Sequence, residues 1–512
     1  MILKAKIIGF EAKKPVVVLN KNNADDLGIK PLERVEVVFG RKKAVAIVNI
    51  AEKTIKEGEI GVFQDIGNVL EVKNGQKLEI YPVQQPESLE FIRKKMNGEN
   101  LTESEIEIIV KDTVNHKLSD IELTAFVCSL HDHGLTFGEA AALSNAMART
   151  GKSLDLGKKD IYDKHSIGGM PGDKTSILLV PIVASAGLTI PKTSSKAITS
   201  PAGTADRFGC IAPVDLSIND VRRVVKKVNA CLVWGGAIDL SPADDIFIQI
   251  EYPLSIDPLL LPSVMSKKKA VGANYLVIDI PTGRGTKIKT IGDAEKLANR
   301  FIELGKRLKI NVIGISTFGE QPLGHTVGPA LEAREALKTL MKGYGPHDLI
   351  DKATQLAGAL IGFKKNVNAK AEALRLLRTR KAYKKLKEII EAQGGDPKIK
   401  PDDIPIGDKN ISIASSVSGN VLWVNNTAIV QVARAAGAPK DKGAGIIIHK
   451  KIGDKVKKND VLFEIYAEKT YKMNDALKLA KKLTLIGIGD KFDMLLKKIP
   501  SVTETKYFIL ER

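Results

Sequence analysis

KHSIGGMPGDKTS, residues 164–176, stands directly before the apolar run ILLVPIVASAG of residues 177–187. Its glycines, Gly168, Gly169 and Gly172, permit tight turns and leave backbone N–H groups exposed. The apolar run reads as a buried helix ending near Gly187, and its first turn offers the positive end of a helix to an anion. Lys164, Ser166 and Ser176 add one positive charge and two hydroxyl donors. The stretch therefore reads as a phosphate cradle. It is not the nucleotide-binding P-loop, because Asp173 separates Gly172 from Lys174 and no metal-binding acidic strand follows. A glycine turn that merely packs is the plainer account, weakened by the lysine, histidine, serines and threonine in one loop. His165 has no second His or Cys at ligand spacing, so no metal is expected there; a backbone hydrogen bond is its ordinary alternative.

Outward from this loop, residues 161–395 alternate short apolar runs such as YLVIDIP and NVIGIST with helical runs such as KLANRFIELGKRL, the pattern of a large α/β domain with a buried sheet. Residues 86–160 read as a small helical domain. Thr102 with Glu105 and Ser119 with Glu122 mark capping boxes, and Gly134 and Gly151 mark helix ends. His131 and His133, two apart at a helix end, face different directions and cap or meet solvent. Residues 1–85 form an added β-rich domain, with runs VVVL, VEVVF, AVAIVNI and LEIYPV broken by Asn, Gly and Asp. Residues 368–393 read as an amphipathic helical pair. After the linker DPKIKPDDIPIGDKN, residues 410–500 form a C-terminal α+β domain with a helix near 474–482. The fold class is multidomain α/β and α+β.

The 512 residues are 44% hydrophobic, enough for several cores, but only 5% aromatic, so those cores are aliphatic. No run reaches the length of a membrane span, and the first residues lack a signal-peptide profile. Cys128, Cys210 and Cys231 are far apart and form no ligand spacing, which suits a reducing, cytoplasmic setting. Lys and Arg outnumber Asp and Glu by 78 to 60, for a net charge of +18. This favours anionic partners, but the charge is interleaved with acids and no aromatic–basic stripe forms a stacking groove, so neither nucleic acid nor membrane is the expected partner.

The segment 164–176 resembles the signature loop of the thymidine/pyrimidine-nucleoside phosphorylase family, nearest to its archaeal AMP-cleaving branch. PLGHTVGPALEAREAL and AAGAPKDKGAGIIIHKKIGDKV are similar to other segments of that family, and the β-rich first domain resembles the addition of that branch. The resemblance implies a helical domain, joined by a later segment around residues 240–270, that closes on the α/β domain over phosphate. It implies Lys164, Ser166, Ser176, Ser194 and Thr204 as phosphate contacts. His165 would lie near sugar and base, and Asp257 would be the proton donor; the catalytic set is Asp257, Lys164 and His165. The nucleotide would meet Gly169, Ser195, Lys196, Ala197, Ile198, Thr199, Ser200, Thr204, Ser263, Lys267 and Lys287. Pro171 lengthens the signature loop relative to thymidine enzymes, and TSSKAITSPAGT carries more hydroxyls where those have arginine and histidine, which favours a ligand with a 5′-phosphate. Near EYPLSIDP no counterpart of their substrate-contacting arginine is found.

The implied reaction is AMP plus phosphate giving adenine and ribose 1,5-bisphosphate, with CMP and UMP as further candidates. No metal or organic cofactor is required, phosphate being a co-substrate, and a homo-oligomer of at least two chains is implied. Asp257 must be held protonated, since an exposed Asp titrates near 4; in LSIDPLLL it could otherwise be an ordinary turn residue. Ser263 and Lys267, four apart, share a helical face. Lys196 meets either phosphate or water. The competing accounts are the same chemistry on unphosphorylated nucleosides, a nucleotide-binding regulatory module without turnover, and, on charge alone, a nucleic-acid-binding protein.

Overall fold

The computed structural model describes residues 1–10, 14–157, 160–364 and 368–490; residues 491–500 of the expected C-terminal domain lie outside them. Six strands close the N-terminal barrel, in the order Ile2–Ile8, Glu59–Phe63, Val16–Asn20, Lys42–Ala51, Arg34–Phe39 and Lys77–Pro82. Closure removes the sheet edges, and the inward Leu3, Val17, Leu19, Val35, Val48 and Ile80 are buried. Arg34, itself buried, donates to the carbonyl of Lys117 and to Glu122, tying barrel to helices.

Helices Ser88–Met96, Glu103–Val114, Asp120–His133 and Phe137–Thr150 pack with Pro242–Leu254 around Ile106, Val110, Phe126, Leu143 and Phe247. Leu260–Val271 lies against Phe137–Thr150. Thr102, Ser119 and Thr136 each open a helix with a reciprocal capping box to Glu105, Glu122 and Glu139. Glu139 has a second role. It is buried, accepts from Leu101 N at 3.0 Å and pairs with the buried Lys95 at 2.8 Å. Burial opposes its charge, yet these donors hold its carboxyl below the ordinary range.

The α/β region is a parallel sheet. Asn311–Phe318, Tyr275–Thr282 and Tyr162–Ser166 lie side by side, and a bridge from Ile161 to Thr189 leads on to the pair Ile190–Ser194 and Ala230–Trp234. Parallel strands need crossover helices, which cover them. The helix Thr175–Ser185 lies wholly inside the aliphatic core with Leu179, Val180 and Val183; it ends at Ser185, since Gly187 takes a φ of 88°. The helical pair expected at 368–393 is Ala369–Arg378 and Lys381–Ala392.

The C-terminal unit has two small antiparallel sheets and the helices Asn426–Ala435 and Thr470–Lys482. One of its sheets takes in Thr326–Val327 from the α/β region, paired with Ile447 and Ile446. Lys451 adds bonds to the carbonyls of Pro322 and Gly324 and an ion pair with Asp348. The two parts therefore share backbone hydrogen bonds.

Replacing Lys95 by Ala leaves the Glu139 carboxylate buried without its counter-charge, a change that costs about 3–5 kcal/mol. The expected outcome is a lower urea midpoint for the helical signal. The loss should shrink as the pH falls into the Glu139 titration, because the pair stabilises only while the carboxylate is charged.

Candidate active site

The strand Tyr162–Ser166 decides where the charges go. Its side chains alternate between the two faces of the sheet, and parallel pairing sets Ser166 beside Asp279 and Lys164 beside Val277. On one face the Lys164 ammonium lies 3.3 Å from Asp279 and 3.7 Å from Asp173, and Ser166 donates to Asp279 at 2.9 Å. Lys352, from the helix His347–Gly362, reaches the same Asp279 at 3.0 Å and Asp173 at 4.0 Å, and Thr317 donates to its other oxygen. Next along the strand, Asp163 pairs with Lys268 at 2.6 Å and lies 3.8 Å from Lys192.

Four buried lysines thus stand against three aspartates, Asp163 and Asp279 fully buried and Asp173 nearly so. Burial opposes the Asp173 carboxylate, but Lys164 and Lys352 hold it below its ordinary range. Burial, with repulsion from Lys268 and Lys164, pulls Lys192 down to about 7 although Asp163 resists. Buried cations unmatched by anions are a standing attraction for an anion arriving at the strand ends, where ligands of α/β sheets collect. His165 lies among these charges. Burial first, then Lys268, Lys192, Lys164 and Lys267, hold it well below its ordinary value, so at neutral pH its ring is uncharged.

Beyond the strand, Gly168, Gly169 and Gly172 all take positive φ. A side chain at Gly169 would place its Cβ 2.6 Å from the backbone N of Lys287, and one at Gly172 would meet the carbonyls of Leu323 and Thr326. Only glycine fits both the dihedral and the space. Ser176 is buried in the first turn of Thr175–Ser185. Lys174 is fully buried, and its ammonium is bonded to the carbonyls of Leu323 and Thr326, the Thr326 hydroxyl and Glu335, at 2.5–3.1 Å. A lysine so occupied does not serve as a P-loop lysine.

Asp257 sits in the turn between Pro242–Leu254 and Leu260–Val271. Its carboxylate lies 3.5 Å from the Lys287 ammonium, with nearly half of the side chain still open. Desolvation raises its pKa and Asp244 adds to the rise, while Lys287 opposes. Behind it, Glu251 is buried, accepts from Leu259 N at 3.0 Å, and is pushed up to about 7, by burial above all and then by Asp257 and Asp244. Lys267 and Ser263 do lie on one helix, with Lys267 turned to the buried Asp244 at 2.5 Å.

The third component is the loop after Ser194. Ala197 N and Gly203 N both donate to Asp206, at 2.7 and 2.8 Å, and Ser200 donates to the carbonyl of Ala202. Ser195, Ile198 and Thr199 are exposed, and Thr204 opens the short helix Thr204–Phe208. Ser194 donates to the carbonyl of Val233. Lys196 was expected to meet phosphate or water. Its ammonium lies 3.7 Å from the centre of the Trp234 ring and 3.1 Å from Asp215, with 42% of the side chain exposed. A cation over an indole face is attracted by the ring quadrupole, which gives the side chain a reason to fold back.

Asp257, Lys287 and Gly169 are therefore brought together, and Lys164, Ser166 and His165 share the lysine-rich strand end. Residues 194–200 form a separate segment, bonded to Val233, Asp206, Asp215, Ala202 and Arg434. Sequence reading missed Asp163, Asp279, Lys192, Lys268, Lys352 and Glu251. The available signal was charge inside apolar runs: Asp279 in YLVIDIP and Lys352 in a helix otherwise rich in Leu and Ala.

Three segments match known families: residues 89–151 the glycosyl transferase family helical bundle domain, residues 158–382 its a/b domain, and residues 421–487 the pyrimidine nucleoside phosphorylase C-terminal domain. An AMP phosphorylase of Thermococcus sibiricus is 50% identical over 98% of this chain and 100% of its own length. One from Thermofilum pendens is 47% identical over the full length of both, and AMP phosphorylase 1 of Archaeoglobus fulgidus is 45% identical over 94% of this chain and 96% of its own. Among solved structures, anthranilate phosphoribosyltransferase from Thermus thermophilus superposes with a TM-score of 0.51 at 18% identity, covering 59% of this chain and 98% of that one, a likeness of fold.

Lys352→Met removes one of the four buried cations and leaves Asp279 free to compete for Lys164. The KM for phosphate should rise about tenfold or more, the equivalent of about 1.4 kcal/mol, with a smaller change in the KM for the nucleotide. Initial rates across a phosphate titration read both. Glu251→Gln tests the raised carboxyl. A group raised from its ordinary value to about 7 stabilises at low pH and loses that contribution as pH rises through about 7. The variant should therefore show a smaller fall in melting temperature between pH 5 and pH 8 than the parent chain.

Proposed function

The chain belongs to the AMP phosphorylase family, and from that premise we infer that it cleaves AMP with inorganic phosphate, giving adenine and ribose 1,5-bisphosphate. The observation that carries the site assignment is the meeting of two parts at one point. Gly169 of the cradle packs on the backbone of Lys287, and the Lys287 ammonium reaches Asp257. The loop assigned to phosphate and a carboxyl with a raised pKa are thus linked through one residue, Lys287.

In this reading Lys164, Ser166, Ser176, Ser194 and Thr204 hold the attacking phosphate. A phosphate oxygen forms its bond to C1′ while the bond from C1′ to the base nitrogen breaks and its electron pair leaves with adenine. Asp257 donates its proton to a purine ring nitrogen, which removes the charge developing on the leaving base. The cationic strand end stabilises phosphate through fixed charges rather than mobile water. His165, uncharged, is suited to a hydroxyl of the ribose or an edge of the base. Residues 195–200, with Gly169, Ser263, Lys267 and Lys287, are assigned to the nucleotide; the exposed hydroxyls of Ser195 and Thr199 suit its 5′-phosphate. No step calls for a metal or an organic cofactor. Among the described residues no helix is long and apolar enough to cross a membrane. A cytoplasmic location and a homo-oligomer complete the proposal, the exposed Ile121 and Tyr252 on the helical part favouring buried contact with a second chain.

Phosphate-dependent base release, compared across AMP, CMP, UMP, adenosine and thymidine, tests the substrate. Release confined to monophosphates is expected. Release from nucleosides alone overturns the substrate, and binding without release from any overturns the enzyme reading. Dialysis against a chelator should leave the rate unchanged. Asp257→Asn should lower kcat by about 10²–10⁴-fold. Since the active form of Asp257 is protonated, kcat should fall as pH rises through its pKa. Lys287 lowers that pKa, so Lys287→Met should move the alkaline limb to higher pH while raising the KM for AMP.

A further inference from the structure

The helix Asn426–Ala435 belongs to the C-terminal unit, yet each of its ends touches a different loop of the α/β region. At its start, Asn426 is buried and its Nδ2 donates to the carbonyl of Gly319 at 2.7 Å. The backbone of Gly285, at a φ of 80°, presses on the same side chain: a Cβ there would lie 2.9 Å from Asn426 Cβ. Gly319 donates in turn to the carbonyl of Thr282. This end of the helix therefore backs the turn that carries Lys287. At its other end, Arg434 Nη1 donates to the carbonyl of Ile198 at 3.0 Å and to that of Ser200 at 3.3 Å.

Arg434 lies eight positions after Asn426, a rise of about 12 Å along a helix. Between them Ala428, Ile429, Val432 and Ala433 are buried in the C-terminal core. That core is joined to the α/β region by the strand pairing at Thr326–Val327, by Lys451, and by Ile452 N donating to Gln321. The helix is thus fixed at its middle and bonded to a loop at either end.

We propose that this helix is a strut that fixes the two nucleotide loops, residues 195–203 and 283–288, and that Arg434 and Asn426 are positioning residues for AMP. This rests on the assignment of residues 195–200 and Lys287 to the nucleotide. The need for a strut follows from the loop itself. Asp206 fixes Ala197 N and Gly203 N, but Ile198 and Thr199 between them are exposed, and Arg434 engages the carbonyls on both sides of Thr199. A charged donor shared by two carbonyls orients the intervening peptide units. A loop ordered before the ligand arrives spares the cost of ordering it on binding. The consequence falls on nucleotide affinity rather than on phosphate, because Arg434 bonds to the carbonyls of Ile198 and Ser200 and to none of the groups assigned to phosphate.

Arg434 is exposed, so its replacement tests the contact without opening a core. In the full chain, Arg434→Ala should raise the KM for AMP about tenfold, with kcat and the KM for phosphate within about twofold of the parent. Arg434→Lys, which keeps a charged donor, should recover part of the loss. Hydrogen exchange of a peptide spanning residues 195–203 should be at least about tenfold faster in the Ala variant, with no change in melting temperature. An unchanged KM for AMP together with unchanged exchange overturns the strut. So does a lower melting temperature with both KM values unaltered, since that is the mark of a purely structural contact. If the parent chain fails to cleave AMP, the functional reading fails by itself, and the exchange arm alone still decides whether Arg434 orders the loop.

Discussion

The Asp279 carboxylate is the point on which the site depends. It stands on the strand Tyr275–Thr282, fully buried, between Lys164 and Lys352, with hydroxyls from Ser166 and Thr317 on its two oxygens. A lone charge at that depth would be strongly unfavourable, so the four groups are mutually required. They arrive from two strands beside Asp279's own and from the helix His347–Gly362. Parallel register is what makes them meet. A shift of one residue between Tyr162–Ser166 and Tyr275–Thr282 would turn Ser166 away and put His165 in its place.

The same alternation distributes function along a five-residue strand. Lys164 and Ser166 face the Asp279 cluster, and Asp163 and His165 face the other way, Asp163 being paired with Lys268. A cationic strand end results, with its lysines restrained by carboxylates that do not neutralise them all. Asp257 has the opposite environment. It rests on a turn where desolvation first, and then the charge of Asp244, favour its protonated form, with Lys287 opposing them. One region gathers buried cations and the other favours a protonated carboxyl. Phosphorolysis asks for both, and the glycine-dependent approach of Gly169 to Lys287 links the loop to the Lys287–Asp257 pair.

Much of this was legible in residue order. The glycine loop, the aliphatic helix after it, the capping boxes at Thr102 and Ser119 and the β-rich first segment all rest on local rules, and those rules hold in the structure. Barrel closure was not legible, because local alternation reports a strand but not its partners. Asp279 and Lys352 were hidden for a related reason. Each is an isolated charge in an apolar run, and what marks it as significant is a partner more than 70 residues away. Lys196 shows the same limit: its contacts with Trp234 and Asp215 come from residues 38 and 19 positions away.

What the sequence determined by itself was the set of elements and the chemistry available: a glycine-rich loop with the donors of a phosphate cradle, hydroxyl-rich segments, an acid before a proline, and a resemblance strong enough to assign the reaction. Those depend on neighbours in the chain, where spacing fixes geometry. What only tertiary structure decided was which charges are buried together, which lysines are spent on internal bonds, as Lys174 is, and that a C-terminal helix meets two loops from another part of the fold. Pairings of this kind depend on strand register and on the desolvation of groups distant in sequence, and both come into being only when the chain has folded.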